Sequence, residues 1–118
     1  MSRTQEWWHA RKETLLGLAE EKSPLYVYNE EILNDTLFDL LSIEAVSRVY
    51  YPVEANPHPK ILEKAYELDV CFKCRSWTEI DRLFSLFRNI SPRRILFIPG
   101  PENLEAWRRA FDLASRTP

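Results

Sequence analysis

One uninterrupted segment carries the clearest structural signal in the chain: Tyr50-Tyr51-Pro52-Val53-Glu54-Ala55-Asn56-Pro57-His58-Pro59-Lys60-Ile61-Leu62. Its opening residues are aromatic or β-branched, which favours a strand over about Val49 to Val53. A proline inside that strand is a warning, because Pro52 cannot donate to a sheet ladder. The turn that follows places Pro59 in the first turn of a helix, predicted over about Lys60 to Leu68. The segment therefore predicts one βα unit.

Two further βα units follow it along the chain. A predicted strand over Val70 to Cys74 precedes a helix that is capped by Ser76 and runs to about Phe87. A predicted strand over Arg94 to Ile98 precedes a last helix over about Glu102 to Ala114. Consecutive βα units imply parallel strands that are joined by right-handed crossovers, so the predicted fold class is α/β.

The residues upstream predict a helix, a short strand and a second helix. Thr4 is a plausible N-cap for a helix over about Gln5 to Glu21, where apolar residues fall near helical spacing. Leu25 to Tyr28 is a bulky, β-favouring run. Asn29 is then expected to cap a helix over about Glu30 to Leu41.

Composition and charge exclude several classes of function. The 118 residues are 45% hydrophobic and 29% charged, which is typical of one soluble globular domain. A net charge of −2 supplies no basic field for nucleic acid or an anionic membrane, and Arg93-Arg94 and Arg108-Arg109 are expected to be solvated ends of elements. No apolar run approaches the roughly 18 residues of a membrane span. Met1 to Lys12 has no apolar signal-peptide core, so a cytoplasmic location is predicted by default.

The cysteines Cys71 and Cys74 have a C-x-x-C spacing that is open to two interpretations. One is a redox or metal motif, although zinc needs four ligands and the chain has no second C-x-x-C. A redox dithiol also favours a helix N-terminus. This pair lies instead in a predicted strand, where residues three apart point to opposite faces. The favoured interpretation is two reduced, half-buried cysteines.

Four segments, in order and at matching spacing, resemble the diaminopimelate/ornithine decarboxylases, which are pyridoxal-phosphate enzymes of fold type III. The segment over residues 50–62 resembles the one that carries their cofactor lysine. Pro24 to Tyr28 resembles an earlier strand of the family. Phe72 to Ile80 and Arg94 to Phe97 resemble the segments that follow the lysine. The resemblance extends over about Pro24 to Gly100.

The resemblance implies the N-terminal βα units of an alanine-racemase-like (β/α)8 barrel, left incomplete. Residues 23–118 would form this partial pyridoxal-phosphate barrel as a single domain. Trp7 to Lys12 is similar to the joining segment of bacterial fusions of aspartate kinase with diaminopimelate decarboxylase, so residues 1–22 are expected to form a joining helix. That narrower resemblance would place the chain in lysine biosynthesis.

The resemblance also implies that a chemical group is missing. In such enzymes a lysine forms a Schiff base with pyridoxal phosphate, and Glu54 stands at the matching position. A carboxylate cannot form an imine and would repel the cofactor's phosphate, so we expect this chain not to bind the cofactor. Lys73 stands where the family usually has an acid. His58 lies near the place of the family's cofactor ring, although a surface turn histidine is favoured.

Two arrangements are open for Glu54 and Lys73, whose charges are the reverse of those that the resemblance implies at these positions. Neighbouring parallel strands lie about 4.8 Å apart, so Glu54 and Lys73 could form an ion pair inside the barrel. Alternatively, both are exposed because the barrel is incomplete. A more remote interpretation makes Lys73 itself an imine-forming lysine.

Three strands cannot close a barrel, so the third strand is expected to leave an open edge. Such edges pair with other chains or aggregate. Two functions follow as expectations. One is a truncated or degenerate diaminopimelate decarboxylase-like protein that is inactive alone. The other is a non-enzymatic interaction module that forms a homo-oligomer or binds a partner chain through the open edge.

Overall fold

The computed structural model describes residues 6–116, so the predicted N-cap Thr4 lies outside the described residues. The chain divides into two compact units, Met1–Leu33 and Asn34–Pro118. The domain boundary that the sequence suggests, after residue 22, stays a prediction. No helix in the described part of the chain is long and apolar enough to cross a membrane.

A parallel sheet organises the second unit. Within the described residues its strands are β1 (Tyr50–Pro52), β2 (Cys71–Cys74) and β3 (Ile95–Phe97), in the spatial order β1-β2-β3. Helices α3 (Pro59–Glu67) and α4 (Trp77–Leu86) connect the strands, and α5 (Leu104–Arg116) follows β3. The α/β class and the three βα units are confirmed, although each strand is shorter than predicted. The described residues form no closed barrel.

The position of β1 at the edge of the sheet explains how a strand accommodates Pro52. The Cys71 amide donates to the Val49 carbonyl at 2.9 Å. Because alternate residues of a parallel strand face the same neighbour, Val49 and Tyr51 face β2 and the Pro52 nitrogen faces away from it. The missing N–H therefore costs the sheet no hydrogen bond.

The core lies where helices cover the sheet. The inner face of α3 was predicted to include Ile61, Leu62, Ala65 and Leu68. The first three are buried, whereas Leu68 is half-buried. The side chains with no exposed surface come from strands, helices and loops: Val53, Leu62, Ala65, Val70, Phe72, Cys74 and Leu83. Burial of such side chains is the main favourable term in folding, at about 1.5–3 kcal/mol for each large one.

Ser76 caps α4 as predicted, and the structure shows that the cap is a capping box. The Ser76 hydroxyl accepts from the Glu79 amide at 3.2 Å, and the Glu79 carboxylate accepts from the Ser76 amide at 2.9 Å. Two otherwise unpaired donors are thus satisfied reciprocally. This cap sets where the chain turns from β2 into α4.

The prediction that the arginine pairs are merely solvated is wrong for Arg94. Its guanidinium donates to the carbonyls of Tyr66 at 2.9 Å and Val70 at 2.8 Å, and it lies 4.3 Å above the Tyr66 ring. Arg94 therefore ties the start of β3 to the last turn of α3 and to the loop between α3 and β2. That loop contains Asp69 at a φ of 60°, an uncommon conformation for a residue with a side chain. Tertiary contacts, which a local pattern does not report, account for the difference.

The first unit contains α1 (Lys12–Glu21), which is preceded by a 3-10 turn over His9–Arg11. The predicted helix thus starts later than expected. The strand predicted over Leu25 to Tyr28 is wrong, because these residues form no strand. β-Favouring residues form a strand only where a neighbouring strand supplies the ladder.

Helix α2 (Glu30–Leu41) begins in the first unit and matches the predicted range. Asn29 caps it as predicted, accepting through Oδ1 from the Ile32 amide at 3.1 Å. Leu37 is its buried residue.

Candidate functional site at the carboxyl edge of the sheet

A cleft of about 410 Å³ lies where the loops after the three strands converge. In parallel βα proteins this carboxyl edge is where sites form, because every strand delivers its following loop there. Each strand contributes to the cleft, whose lining residues are Glu54, Arg75, Ser76, Glu79, Gly100, Glu102 and Asn103. We call it the carboxyl-edge cleft.

Glu54 enters the cleft from a 3-10 turn over Val53–Ala55, directly after β1. Its Oε2 lies 3.4 Å from Nη1 of Arg75, the residue that follows β2. Both side chains are 46% exposed, so water screens the pair and its contribution to stability is below about 1 kcal/mol. The pair nevertheless holds the Glu54 carboxylate against the end of β2.

The swapped ion pair of Glu54 with Lys73 is not formed. In the sheet register Lys73 lies opposite Pro52 and Leu96. Glu54 comes two residues after Pro52, beyond the end of the strand. Among the ion pairs of the described residues, Glu54 is joined to Arg75 and not to Lys73. The sequence argument failed because it treated Glu54 as lying beside β2, whereas the chain leaves the sheet in a 3-10 turn that starts at Val53.

His58 caps α3 and does not line the cleft. Its Nδ1 accepts from the Lys60 amide at 3.1 Å, and its own amide donates to Oδ1 of Asn56 at 3.1 Å. The Tyr51 hydroxyl donates to the Asn56 carbonyl at 3.0 Å, which fixes the same loop to β1. The side chain of His58 is exposed, in agreement with a turn histidine.

Of the three predicted site residues, the structure therefore brings only Glu54 to the cleft. Lys73 is half-buried within β2 and does not line it. Whether Glu54, Lys73 and His58 occupy cofactor-binding positions stays a prediction.

Hydrogen bonds already engage much of the cleft's polar lining. The Glu79 carboxylate accepts from the amides of Arg75 at 2.7 Å and Ser76 at 2.9 Å. Asn103 caps α5, accepting through Oδ1 from the Ala106 amide at 3.0 Å. The Glu102 carboxylate folds back over Gly100, and a Cβ at that position would overlap it.

The electrostatics of the carboxyl-edge cleft do not fit pyridoxal phosphate. Its ionisable side chains are three carboxylates, from Glu54, Glu79 and Glu102, against the single guanidinium of Arg75. A negatively charged concavity repels a phosphate and favours cations. The carboxylate of Glu54, the residue that the resemblance sets at the place of the cofactor lysine, cannot form an imine. The lining as it stands therefore suits neither the phosphate nor the aldehyde of the cofactor.

The two cysteines are free and buried. Burial raises the pKa of the Cys74 thiol to about 12, and the charge of Glu79 adds to this effect. A thiol with so high a pKa supplies almost no thiolate at neutral pH, which argues against the redox interpretation. Among residues 6–116, no group of three or more histidine, cysteine or acidic side chains is arranged to hold a metal ion.

Sequence reasoning missed Arg75, Glu102 and Asn103 as lining residues. One signal was available, since each comes soon after a predicted strand and carboxyl-end loops of parallel strands converge. The capping pattern of Ser76 with Glu79 was also readable, because it needs only the spacing of two residues. The pairing of Arg75 with Glu54 could not be read from the sequence. It joins two loops whose positions depend on how the strands of the sheet are aligned.

The fold and this edge define an α/β chain of consecutive parallel βα units. A segment of 48 residues is 48% identical to ornithine decarboxylase from Saccharomyces cerevisiae, covering 41% of this chain and 10% of that enzyme. The match supports the broad family of fold-type III pyridoxal-phosphate decarboxylases, and the aligned part spans only about a tenth of the curated relative. No family model matches the chain, and no solved structure gives a significant match.

Proposed function

We propose that this chain is a degenerate relative of the fold-type III decarboxylases that has lost Schiff-base catalysis. The observation that carries the proposal is the pairing of Glu54 with Arg75 in a cleft of net negative charge, where the resemblance would set the cofactor lysine. A lysine at that place would give an amine to the cofactor's aldehyde, whereas a carboxylate gives none.

Within that family we assign the chain to the diaminopimelate branch, and so to an origin in lysine biosynthesis close to the kinase–decarboxylase fusions. Support comes from the resemblance of Trp7 to Lys12 to the joining segment and from the fit of Asn56 to Pro59. The ornithine decarboxylase match supports the broad family without distinguishing its branches. A cytoplasmic location is part of the same proposal.

Titration of the purified chain with pyridoxal phosphate tests the loss of Schiff-base chemistry. An internal imine absorbs at roughly 420 nm, and borohydride fixes it for location by mass spectrometry. We expect no band, and no more label on Lys73 than on Lys60, an exposed lysine of α3 that reports background reaction. A stable adduct that is specific to Lys73 would overturn the proposal.

The matched variant is Glu54→Lys, which returns an amine to the family position. Label at position 54 above the Lys60 background supports the assignment of that position. Equal labelling at the two positions would mean that residue 54 is not placed to meet the cofactor. Because both measurements are made on the folded chain, circular dichroism of each protein accompanies them.

A second candidate function is a non-enzymatic interaction module. Within residues 6–116 no strand pairs with the outer edge of β3, and Leu96 and Ile98 beside it are 39% and 41% exposed, which favours this candidate. Strands with unpaired edges take up further strands from other chains. This candidate predicts a colourless protein that self-associates or binds a partner. The cofactor titration, together with sedimentation velocity over a concentration series, separates the two candidates.

A further inference from the structure

We draw no further inference here: the strongest candidate, an apolar groove of about 530 Å³ in the first unit that α1 and the segment over residues 23–27 line, carries none, because nothing in the described residues shows what covers it.

Discussion

The two units of the chain bury their apolar side chains to very different degrees. In the sheet unit, Phe72 and Leu83 have no exposed surface. In the first unit, no residue of α1 is buried, and Leu16 and Leu18 are 56% and 45% exposed. Both units contain amphipathic helical sequence, but within the described residues only the sheet unit packs its helices on strands. Apolar residues therefore stabilise a helix only where an opposing layer removes them from water.

The largest expected effect on stability comes from a substitution in the buried core of the sheet unit. Leu83→Ala should reduce the free energy of unfolding by about 2–5 kcal/mol, because it deletes methyl groups from a packed site and leaves a cavity. Urea denaturation followed by circular dichroism measures the loss. Leu16→Ala is the control and should change the free energy of unfolding by no more than about 0.5 kcal/mol. Similar losses in both variants would show that the two units share one core.

The pH dependence of stability tests the burial of one side chain in the sheet unit, the thiol of Cys74. Burial raises the pKa of Cys74 from 9.0 to about 12, so between these values the unfolded chain releases a proton that the folded chain keeps. The stabilisation is complete below about pH 9 and falls by about 1.4 kcal/mol per pH unit above it, towards about pH 12. Urea midpoints from pH 8 to 10.5 measure the slope.

Cys74→Ala is the matching control for that slope. It lowers stability at every pH by creating a cavity, but it should remove the share of the slope that the thiol contributes. Burial also raises the pKa of Tyr51, so a smaller slope from that phenol should remain in the variant. A slope that is identical in the two proteins would contradict the assignment to Cys74.

The smallest expected effect concerns the helix caps of the two units. Ser76→Ala should lower the free energy of unfolding by about 1 kcal/mol, because α4 packs on the sheet and loses its capping box. Asn29→Ala removes a comparable cap from α2, whose start lies in the first unit. We expect a smaller loss there, since fraying of that end exposes little buried surface. Thr78→Ala, an exposed neighbour in α4, controls for the substitution itself. Equal losses at the two caps would argue that both units unfold together.

Local patterns predicted most of the elements but not their lengths. The ranges of α2, α3 and α4 match to within a residue or two, because N-caps and apolar spacing act over a few neighbouring residues. The strand predicted over Leu25 to Tyr28 failed for the opposite reason. A strand exists only when a distant segment pairs with it, and β propensity does not report that partner.

The candidate site was predictable in part. Glu54 was singled out from the sequence, and the structure places it in the carboxyl-edge cleft. Its partner was expected to be Lys73 and is Arg75, because β1 ends before Glu54 and the chain enters a 3-10 turn. Arg75 comes two residues after Lys73, and this step along the chain changes which cation meets the Glu54 carboxylate. Ion pairs between loops depend on where strands stop, which side-chain chemistry alone does not reveal.

The sequence by itself determined that this chain is a series of βα units and that residue 54, directly after the first predicted strand, is a carboxylate. Turn prolines, helix caps and apolar spacing depend only on residues that are close together in the chain. The residue type at position 54 is read directly from the sequence. Only the tertiary structure decided what Arg94 and Glu54 touch, and which strand edge lacks a donor. These depend on sheet order and register, which arise when segments far apart in the chain pack together.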